Sequence, residues 1–207
     1  KAAYHVAPFA FGRYPLEKVL SDLPVQIDIA AFSVSLWNEQ LSLRVAEEVR
    51  CRWPHALIVF GGCHIPFDAR EYLRAYPFID LCTRGEGEKT FADILKAHLA
   101  GGGFQAIPGL TTRAGQTPDG TGPKDLDVYP SPYLTGWYES LILAHPAIQW
   151  QAIIETNRGC PFSCSFCYWG NALNQKYRLF SVERVRRIFD WCADHRVRYV
   201  FNADANF

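Results

Sequence analysis

Short apolar runs alternate with amphipathic helical patterns along the first half of the chain. Leu41, Val45 and Val49 recur at four-residue spacing, which predicts a helix that Asn38 caps and that ends before Pro54. Apolar and β-branched runs predict strands at 26–33, 55–62 and 78–85. This alternation is typical of βαβ units, so we predict an open, doubly wound α/β fold with a parallel sheet, which binds ligands at the carboxyl ends of its strands.

Turn-forming residues dominate the middle of the chain, and a second alternating pattern follows them. Gly, Pro, Thr and Asp are dense from residue 101 to about 136, which predicts a linker. Strands are predicted at 148–157 and 198–204, with a helix between them that begins at Ser181. This helix is expected to turn inward its apolar residues Val182, Val185, Ile188, Phe189 and Cys192. We therefore predict an α/β domain over 1–100, a linker region over 101–147 and the beginning of a second domain over 148–207.

Charge and composition exclude several classes of function. The 207 residues contain 21 Lys and Arg against 21 Asp and Glu, which provides no electrostatic footprint for a nucleic acid or an anionic membrane. No apolar run is long enough to span a bilayer, and the N-terminus has no signal-peptide pattern. We expect a cytoplasmic protein. The chain contains no methionine and its last residues resemble a strand followed by a loop, so we expect both ends to lie within a longer protein.

Seven cysteines are present, an odd number that disfavours a secreted disulfide framework in a chain of this size. Four are isolated in apolar or helical contexts and are predicted to be small buried residues: Cys51, Cys63, Cys82 and Cys192. The other three, Cys160, Cys164 and Cys167, share one short loop directly after a predicted strand. Three thiolates this close in sequence can converge on a metal ion or a cluster.

The ligand set of this loop favours an iron–sulfur cluster over structural zinc. Structural zinc takes four protein ligands, and the loop holds neither a fourth cysteine nor a histidine. Three thiolates leave one iron of a 4Fe–4S cluster without a protein ligand. An open position of this kind allows a cluster to bind a substrate or cofactor directly.

The cysteine loop resembles the cluster loop of the radical S-adenosylmethionine (radical SAM) enzymes. Three and then two residues separate the cysteines, and the aromatic Phe166 precedes the last of them. The resemblance implies a partial TIM-like barrel in which the free iron chelates SAM and an electron from the cluster generates a 5′-deoxyadenosyl radical. The SAM contacts it suggests are Phe166, Tyr168, Asp204 and Asn206.

The first half of the chain resembles the cobalamin-binding domain and linker of cobalamin-dependent radical SAM enzymes. The resemblance is carried by the runs FSVSLWN (32–38), IVFGGCHIP (58–66), RGEGEKTF (84–91), IPGL (107–110) and YPSPYL (129–134). It implies that serines after one strand and a double glycine after the next accommodate the nucleotide tail of cobalamin, since a Cβ there would block close approach of the backbone to a flat ligand. The expected contacts are Ser33, Ser35, Trp37, Gly61, Gly62, His64, Gly85 and Glu86.

No predicted strand is followed by Asp-x-His-x-x-Gly, the motif that supplies a cobalt-ligating histidine. The nearest string, DLCTRG (80–85), has Cys82 at the histidine position and lies on a different strand. The first strand of the domain is expected to be missing and could have carried the motif. The resemblance otherwise implies a cobalt without a protein histidine and with Trp37 against its lower face, the alternative being a core aromatic at a helix entrance. His64 is expected to contact the surface or tail of cobalamin.

Two further groups of residues have open interpretations. The RGEGE turn has the Gly-x-Gly of a phosphate loop, but its glutamates would repel a phosphate, so a helix start near the cobalamin tail is preferred. Three residues lie at the end of the first predicted barrel strand, and each is expected either to have a structural role or to contact SAM: Glu155, Asn157 and Arg158.

The fold class expected from the two resemblances is α/β, a Rossmann-like cobalamin-binding domain followed by the beginning of a partial TIM-like radical SAM barrel. They imply a methyltransferase that uses a 4Fe–4S cluster, SAM and cobalamin to methylate an unactivated carbon of a small-molecule or peptide natural product, through methylcobalamin and the 5′-deoxyadenosyl radical. An external donor similar to flavodoxin or ferredoxin would supply electrons. The alternatives are a ring-forming or rearranging enzyme with the same cofactors, and a non-catalytic cobalamin or iron–sulfur binding module.

Overall fold

The computed structural model describes residues 4–7, 14–162, 164–167 and 177–205. The chain divides into two units, residues 1–122 and residues 123–207. Within the described ranges, no helix has the length and apolar character needed to cross a membrane.

The first unit is built on a five-stranded sheet with the strand order β1-β2-β3-β4-β5. Strands β1, β2 and β3 are parallel, whereas β4 and β5 are antiparallel to their neighbours. In chain order its elements are α1 (Leu16–Ser21), β1 (Ile29–Ser33), α2 (Glu39–Arg52), β2 (Leu57–Gly61), α3 (Arg70–Ala75), β3 (Leu81–Thr83), α4 (Gly87–Leu99), β4 (Leu110–Thr112) and β5 (Gly115–Gln116). The three predicted strands and the parallel α/β sheet are confirmed.

Both faces of this sheet are covered because successive side chains of a strand point to opposite sides. Ile58, Phe60 and Cys82 face one core, which contains the buried residues of α2 and α3. Val59 and Leu81 face a second core that contains Ile94 of α4. The parallel strands follow one another in chain order, so the reversal of strand order that defines a doubly wound sheet does not occur among the described strands.

The segment predicted as the beginning of a linker extends the first sheet instead. Strands β4 and β5 lie between residues 110 and 116, and Leu110 and Thr111 are fully buried. The Gly- and Pro-rich composition obscured these strands because they are only three and two residues long. The boundary between the units accordingly falls at residue 122, inside the predicted linker region of 101–147.

The second unit contains a parallel βαβ arrangement, as predicted. Its elements are α5 (Glu139–Ala144), β6 (Gln151–Ile154), β7 (Asn157–Arg158), β8 (Arg178–Leu179), α6 (Val182–Asp194) and β9 (Tyr199–Asn202). Strands β6 and β9 pair in parallel, and α6 connects them. The predicted start of α6 is confirmed, since the Ser181 side chain accepts a hydrogen bond from the backbone N–H of Arg184 at 3.2 Å.

Several apolar side chains predicted to be buried are exposed. On α6, Ile188 and Cys192 are buried, but Val182 is 84% exposed and Phe189 is 46% exposed. The helix covers a two-stranded sheet, which is too narrow to bury the whole apolar stripe. Of the four isolated cysteines, Cys82 and Cys192 are buried as predicted, whereas Cys51 on α2 and Cys63 after β2 are exposed.

Candidate functional site

The carboxyl ends of β1 and β2 lie side by side, and the loops that follow them expose large apolar side chains. Leu36 and Trp37 after β1 are 76% and 83% exposed, and Phe67 after β2 is 58% exposed. Because parallel neighbouring strands end at the same edge, these loops form one apolar edge of the sheet. Trp37 therefore belongs to a surface loop, which overturns the alternative of a core aromatic.

The loop after β1 is held in shape by Asn38. Its side-chain oxygen accepts a hydrogen bond from the backbone N–H of Ser35 at 2.8 Å, and its amide nitrogen donates to the Ser33 carbonyl at 2.9 Å. Asn38 occupies the predicted N-cap position of α2, but its side chain makes no capping bond to the helix. Hydrogen bonds to the preceding loop compete with capping for the same side chain. Ser33 and Ser35 are thus presented on a preorganised loop beside Trp37.

The packing of the chain itself requires the double glycine Gly61–Gly62 at the end of β2. A Cβ on Gly61 would come within 3.0 Å of the Thr83 hydroxyl, and a Cβ on Gly62 would meet the Val34 backbone nitrogen at 2.7 Å. Gly62 also has a φ of 107°, which disfavours any other residue. The reason expected from the sequence, close approach to a flat ligand, is therefore not needed. The glycines instead let the β1 loop pack on β2, where Val34 N–H donates to the Gly61 carbonyl at 2.6 Å.

His64 lies in a small polar group at the same edge. Its Nε2 is 3.4 Å from Glu39 Oε2, and the Tyr72 hydroxyl donates to Glu39 Oε1 at 3.0 Å. Burial, the hydrogen bond to Glu39 and its charge all raise the pKa of Tyr72. Nearby, the Ser35 hydroxyl lies 3.7 Å from the Cys63 sulfur. His64 is one-third exposed, so it can still face a ligand while Glu39 holds its ring.

Arg84, which sequence reasoning missed, organises the end of β3. Its guanidinium is 5% exposed and donates to the carbonyls of Leu110 and Thr117 at 2.6 and 2.7 Å and to Asp119 at 3.0 Å. It also lies 5.4 Å from the centre of the Phe67 ring. Arg84 was visible in the sequence as the first residue of the RGEGE turn. Its hydrogen-bond partners are more than 25 residues away and could not be identified from the motif.

The glycine turn after Arg84 is open. Gly85 has a φ of 70°, and a Cβ on it would meet nothing within 4 Å. Glu86 precedes the first residue of α4 without capping it through its side chain. The turn is therefore exposed, with open space beside Gly85.

In the second unit, a short antiparallel ladder closes the cysteine loop. Asn157 pairs with Leu179 and Arg158 with Arg178, so the loop leaves β7 and returns through β8. Like charges at facing positions repel, and here each arginine has another partner. Arg158 Nε donates to Glu155 Oε2 at 3.0 Å, and Arg178 donates to the Pro123 carbonyl at 2.8 Å. These contacts give Glu155 and Arg158 structural roles.

None of the three loop cysteines is in a disulfide; Cys160 and Cys167 are half-buried and Cys164 is exposed. Cys167 N–H donates to the Cys164 carbonyl at 3.1 Å, which forms a tight turn between them. Among the residues that the structure describes, no three His, Cys, Asp or Glu side chains are gathered closely enough to hold a metal ion. The donor set still fits an iron–sulfur cluster, because clusters take cysteine thiolates and metal binding commonly draws its ligands together.

The structure describes two of the four residues that are expected to contact SAM, Phe166 and Asp204. Phe166 is 91% exposed on the cysteine loop. Tyr168 and Asn206 lie outside the described residues. Asp204 lies after β9, and its carboxylate accepts hydrogen bonds from Thr156, between β6 and β7, and from Asn157, the first residue of β7.

Tyr133 covers the edge of β6 that does not pair with β9. The Tyr133 hydroxyl donates to the Ile153 carbonyl at 2.6 Å and accepts from the Ile153 N–H at 3.1 Å. An edge strand with open backbone groups invites pairing with another strand, and Tyr133 prevents this at one position. The start of the cysteine loop is thus supported on both sides of β6.

Comparisons with known proteins relate both units to one family. Residues 17–95 match the model of the B12 binding domain. A cobalamin-dependent radical SAM methyltransferase, TokK of Streptomyces tokunonensis, is 36% identical over 100% of this chain and 31% of its own length. The 2-(S-pantetheinyl)-carbapenam-3-carboxylate methyltransferase of Streptantibioticus cattleyicolor is also 36% identical, over 87% of this chain and 28% of its own length.

A relative with another reaction is also similar. The anaerobic magnesium-protoporphyrin IX monomethyl ester cyclase of Cereibacter sphaeroides is 32% identical over 73% of this chain and 25% of its own length. The chain thus spans less than a third of the length of these curated relatives.

A solved structure shares the fold. The cobalamin-dependent SAM radical enzyme OxsB with aqua-cobalamin bound matches with a TM-score of 0.74 at 20% identity, over 93% of this chain and 28% of that one. At this identity the likeness concerns the fold.

Proposed function

This chain belongs to the cobalamin-dependent radical SAM enzymes, and we propose that it forms part of one that methylates an unactivated carbon of a small-molecule or peptide natural product. The observation that carries the proposal is the presence, in one chain, of a B12 binding domain and a three-cysteine loop that follows a parallel strand. The named methyltransferase relatives support methyl transfer as the reaction.

Cys160, Cys164 and Cys167 would hold a 4Fe–4S cluster through their thiolates. When bound, the cluster supplies the electron that cleaves SAM, and cobalamin supplies the methyl carrier. The chain contributes the ligands, the β7–β8 ladder at the base of the loop and the exposed Phe166 beside the last ligand. Phe166, Tyr168 and Asn206 are the side chains that we propose to contact SAM. The electron would come from an external donor similar to flavodoxin or ferredoxin.

Cobalamin would lie on the apolar edge of the first unit. Trp37 is suited to pack against a flat corrin because Asn38 fixes the loop that carries it. Packing of the two flat surfaces excludes water and requires little ordering of the loop. The proposed contacts with the macrocycle or its tail are Ser33, Ser35, Trp37, Gly61, Gly62, His64, Gly85 and Glu86.

The proposal is tested in the full protein after anaerobic reconstitution. Iron, sulfide and cobalamin content are measured first, followed by S-adenosylhomocysteine and 5′-deoxyadenosine in the presence of candidate substrates. Loss of the cluster is expected when any one of Cys160, Cys164 and Cys167 is replaced by Ala. Cys51→Ala, at an exposed position on α2, is the matched control. Full cluster absorbance and activity in any one of the three loop variants would refute the ligand assignment.

Ring formation with the same cofactors is the second candidate function, favoured by the cyclase relative. The product assay separates the two, because methyl transfer yields S-adenosylhomocysteine together with 5′-deoxyadenosine, whereas ring formation yields 5′-deoxyadenosine without methylated product. Absence of SAM cleavage under strong reduction, with the cluster loaded, would favour a binding module.

Trp37 provides a separate test of the cobalamin site. Trp37→Ala is expected to weaken cobalamin binding about tenfold, the effect of losing a large flat contact. Trp37→Phe should restore most of the affinity. The control is Phe189→Ala, an exposed aromatic of the second unit. If Trp37→Ala kept the cobalamin affinity and absorbance of the wild type, the corrin would not contact Trp37 and the proposed site would be wrong.

A further inference from the structure

Asp204 uses both oxygens of its carboxylate within the protein. Oδ1 accepts the backbone N–H groups of Thr156 and Asn157 at 2.7 and 3.2 Å. Oδ2 accepts the Thr156 hydroxyl in a short hydrogen bond and the Asn202 amide at 3.0 Å. Two donors on each oxygen leave little capacity for a further ligand.

The groups that Asp204 holds are at the base of the cysteine loop. Thr156 lies between β6 and β7, and Asn157 is the first residue of β7, three residues before Cys160. A change in the backbone here would propagate along β7 into the first cysteine. Asp204 belongs to the segment after β9, so its contact joins the ends of the two parallel strands across 47 or 48 residues of sequence.

We propose that Asp204 is a positioning residue for the cysteine loop, acting through Thr156 and Asn157, and that its carboxylate does not bind SAM. This inference rests on the proposed function, because it requires a cluster on that loop. Groups behind the ligands of a metal site orient them and tune the site. Asp204 takes this role through the backbone of the loop.

The ionised form of Asp204 is the one that suits this role. Partial burial raises the pKa of Asp204, but the hydrogen bonds from Thr156, Asn202 and Asn157 outweigh it, so the pKa lies below its ordinary value. An amide at this position has a single acceptor oxygen, and its NH₂ group would face a donor. Asp204→Asn is therefore a nearly isosteric change that disrupts the arrangement.

The test compares Asp204→Asn with Asp190→Asn, a matched loss of charge at an exposed position on α6. Both variants of the full protein are reconstituted anaerobically. Iron and sulfide content, the rate at which a chelator removes the cluster and the EPR spectrum of the reduced cluster are measured. The affinity for SAM is measured separately. We expect Asp204→Asn to lose its cluster about tenfold faster and to show altered g-values before SAM is added. Asp190→Asn should match the wild type.

A second pair of variants tests the same contact without changing Asp204. Thr156→Val removes the hydroxyl donor to Oδ2, and Thr156→Ser keeps it. Faster cluster loss in Thr156→Val and wild-type behaviour in Thr156→Ser are expected. This pair also gives an answer if Asp204→Asn fails to fold.

The outcomes separate this inference from the proposed function. A wild-type protein that binds no cluster would refute the proposed function. If wild type loads, but Asp204→Asn keeps a wild-type cluster and loses only SAM affinity, Asp204 is a SAM contact and the positioning role is overturned. Wild-type cluster stability in Thr156→Val would overturn it as well.

Discussion

The hydroxyl of Thr83 at the end of β3 lies against Gly61 at the end of β2, in the place that a Cβ on this glycine would need. Val34 stands in the same relationship to Gly62. The double glycine therefore lets three neighbouring chain segments meet at the carboxyl edge of the sheet. Any cobalamin contact made by these glycines depends on that packing.

Gly61→Ala is expected to lower the free energy of unfolding by about 1–3 kcal/mol, because the added methyl group overlaps the Thr83 hydroxyl. Thr83→Ala in the same chain should recover part of this loss. Urea unfolding of both single variants and the double variant measures the coupling. Gly87→Ala is the control, since a Cβ there meets nothing within 4 Å. Strictly additive losses for Gly61→Ala and Thr83→Ala would contradict the overlap.

The Arg84–Asp119 ion pair should respond unequally to loss of its two partners. Arg84→Met removes the guanidinium hydrogen bonds to the Leu110 and Thr117 carbonyls and the contact with Asp119 together, and we expect a loss of more than about 2 kcal/mol in unfolding free energy. Asp119 is 68% exposed, so Asp119→Asn should cost less than about 1 kcal/mol. Denaturant titration followed by tryptophan fluorescence measures both. Equal losses would mean that the ion pair, rather than the carbonyl contacts, stabilises this region.

The isolated cysteines should differ in reactivity. Burial raises the pKa of Cys82 to about 12, and this side chain is fully buried. Because the thiolate is the reactive form, Cys82 should resist iodoacetamide at pH 8 until the protein is unfolded, whereas the exposed Cys51 and Cys63 should react in the native protein. Mass spectrometry of labelled peptides gives the rate for each site. Labelling of Cys82 as fast as Cys51 would contradict the buried position.

Asp204 should make the free energy of unfolding fall as the solution becomes acidic. Since its pKa is lowered in the folded protein, the ionised carboxylate stabilises the fold above its unfolded pKa of about 4, and this contribution is lost as the pH falls through the folded value. The difference in unfolding free energy between wild type and Asp204→Asn should therefore shrink as the pH is lowered from 7 to 3. Asp190→Asn should show no such trend. A difference that is constant over this range would exclude the contribution of the charge.

Periodic patterns predicted the elements well, because strand and helix spacing depends on neighbours in sequence. The strands around Ala31, Val59 and Ala152 and the helix start at Ser181 were all predicted. The patterns placed Asn38 correctly before α2, but they did not predict that its side chain would bond to Ser33 and Ser35 in the preceding loop instead of capping the helix. They also failed at β4, where composition typical of a loop contains a buried strand.

The sequence by itself determined the α/β class, the spacing of the three cysteines and the resemblance that links them to cobalamin and SAM. These properties are local, so they can be recognised without knowing which segments meet. Tertiary structure decided that Thr83 requires Gly61, that Arg84 holds the β4–β5 segment and that Asp204 meets Thr156. Each of these contacts joins segments that are more than 20 residues apart, and only the pairing of the strands brings them together, in parallel for β2–β3 and β6–β9 and antiparallel for β3–β4.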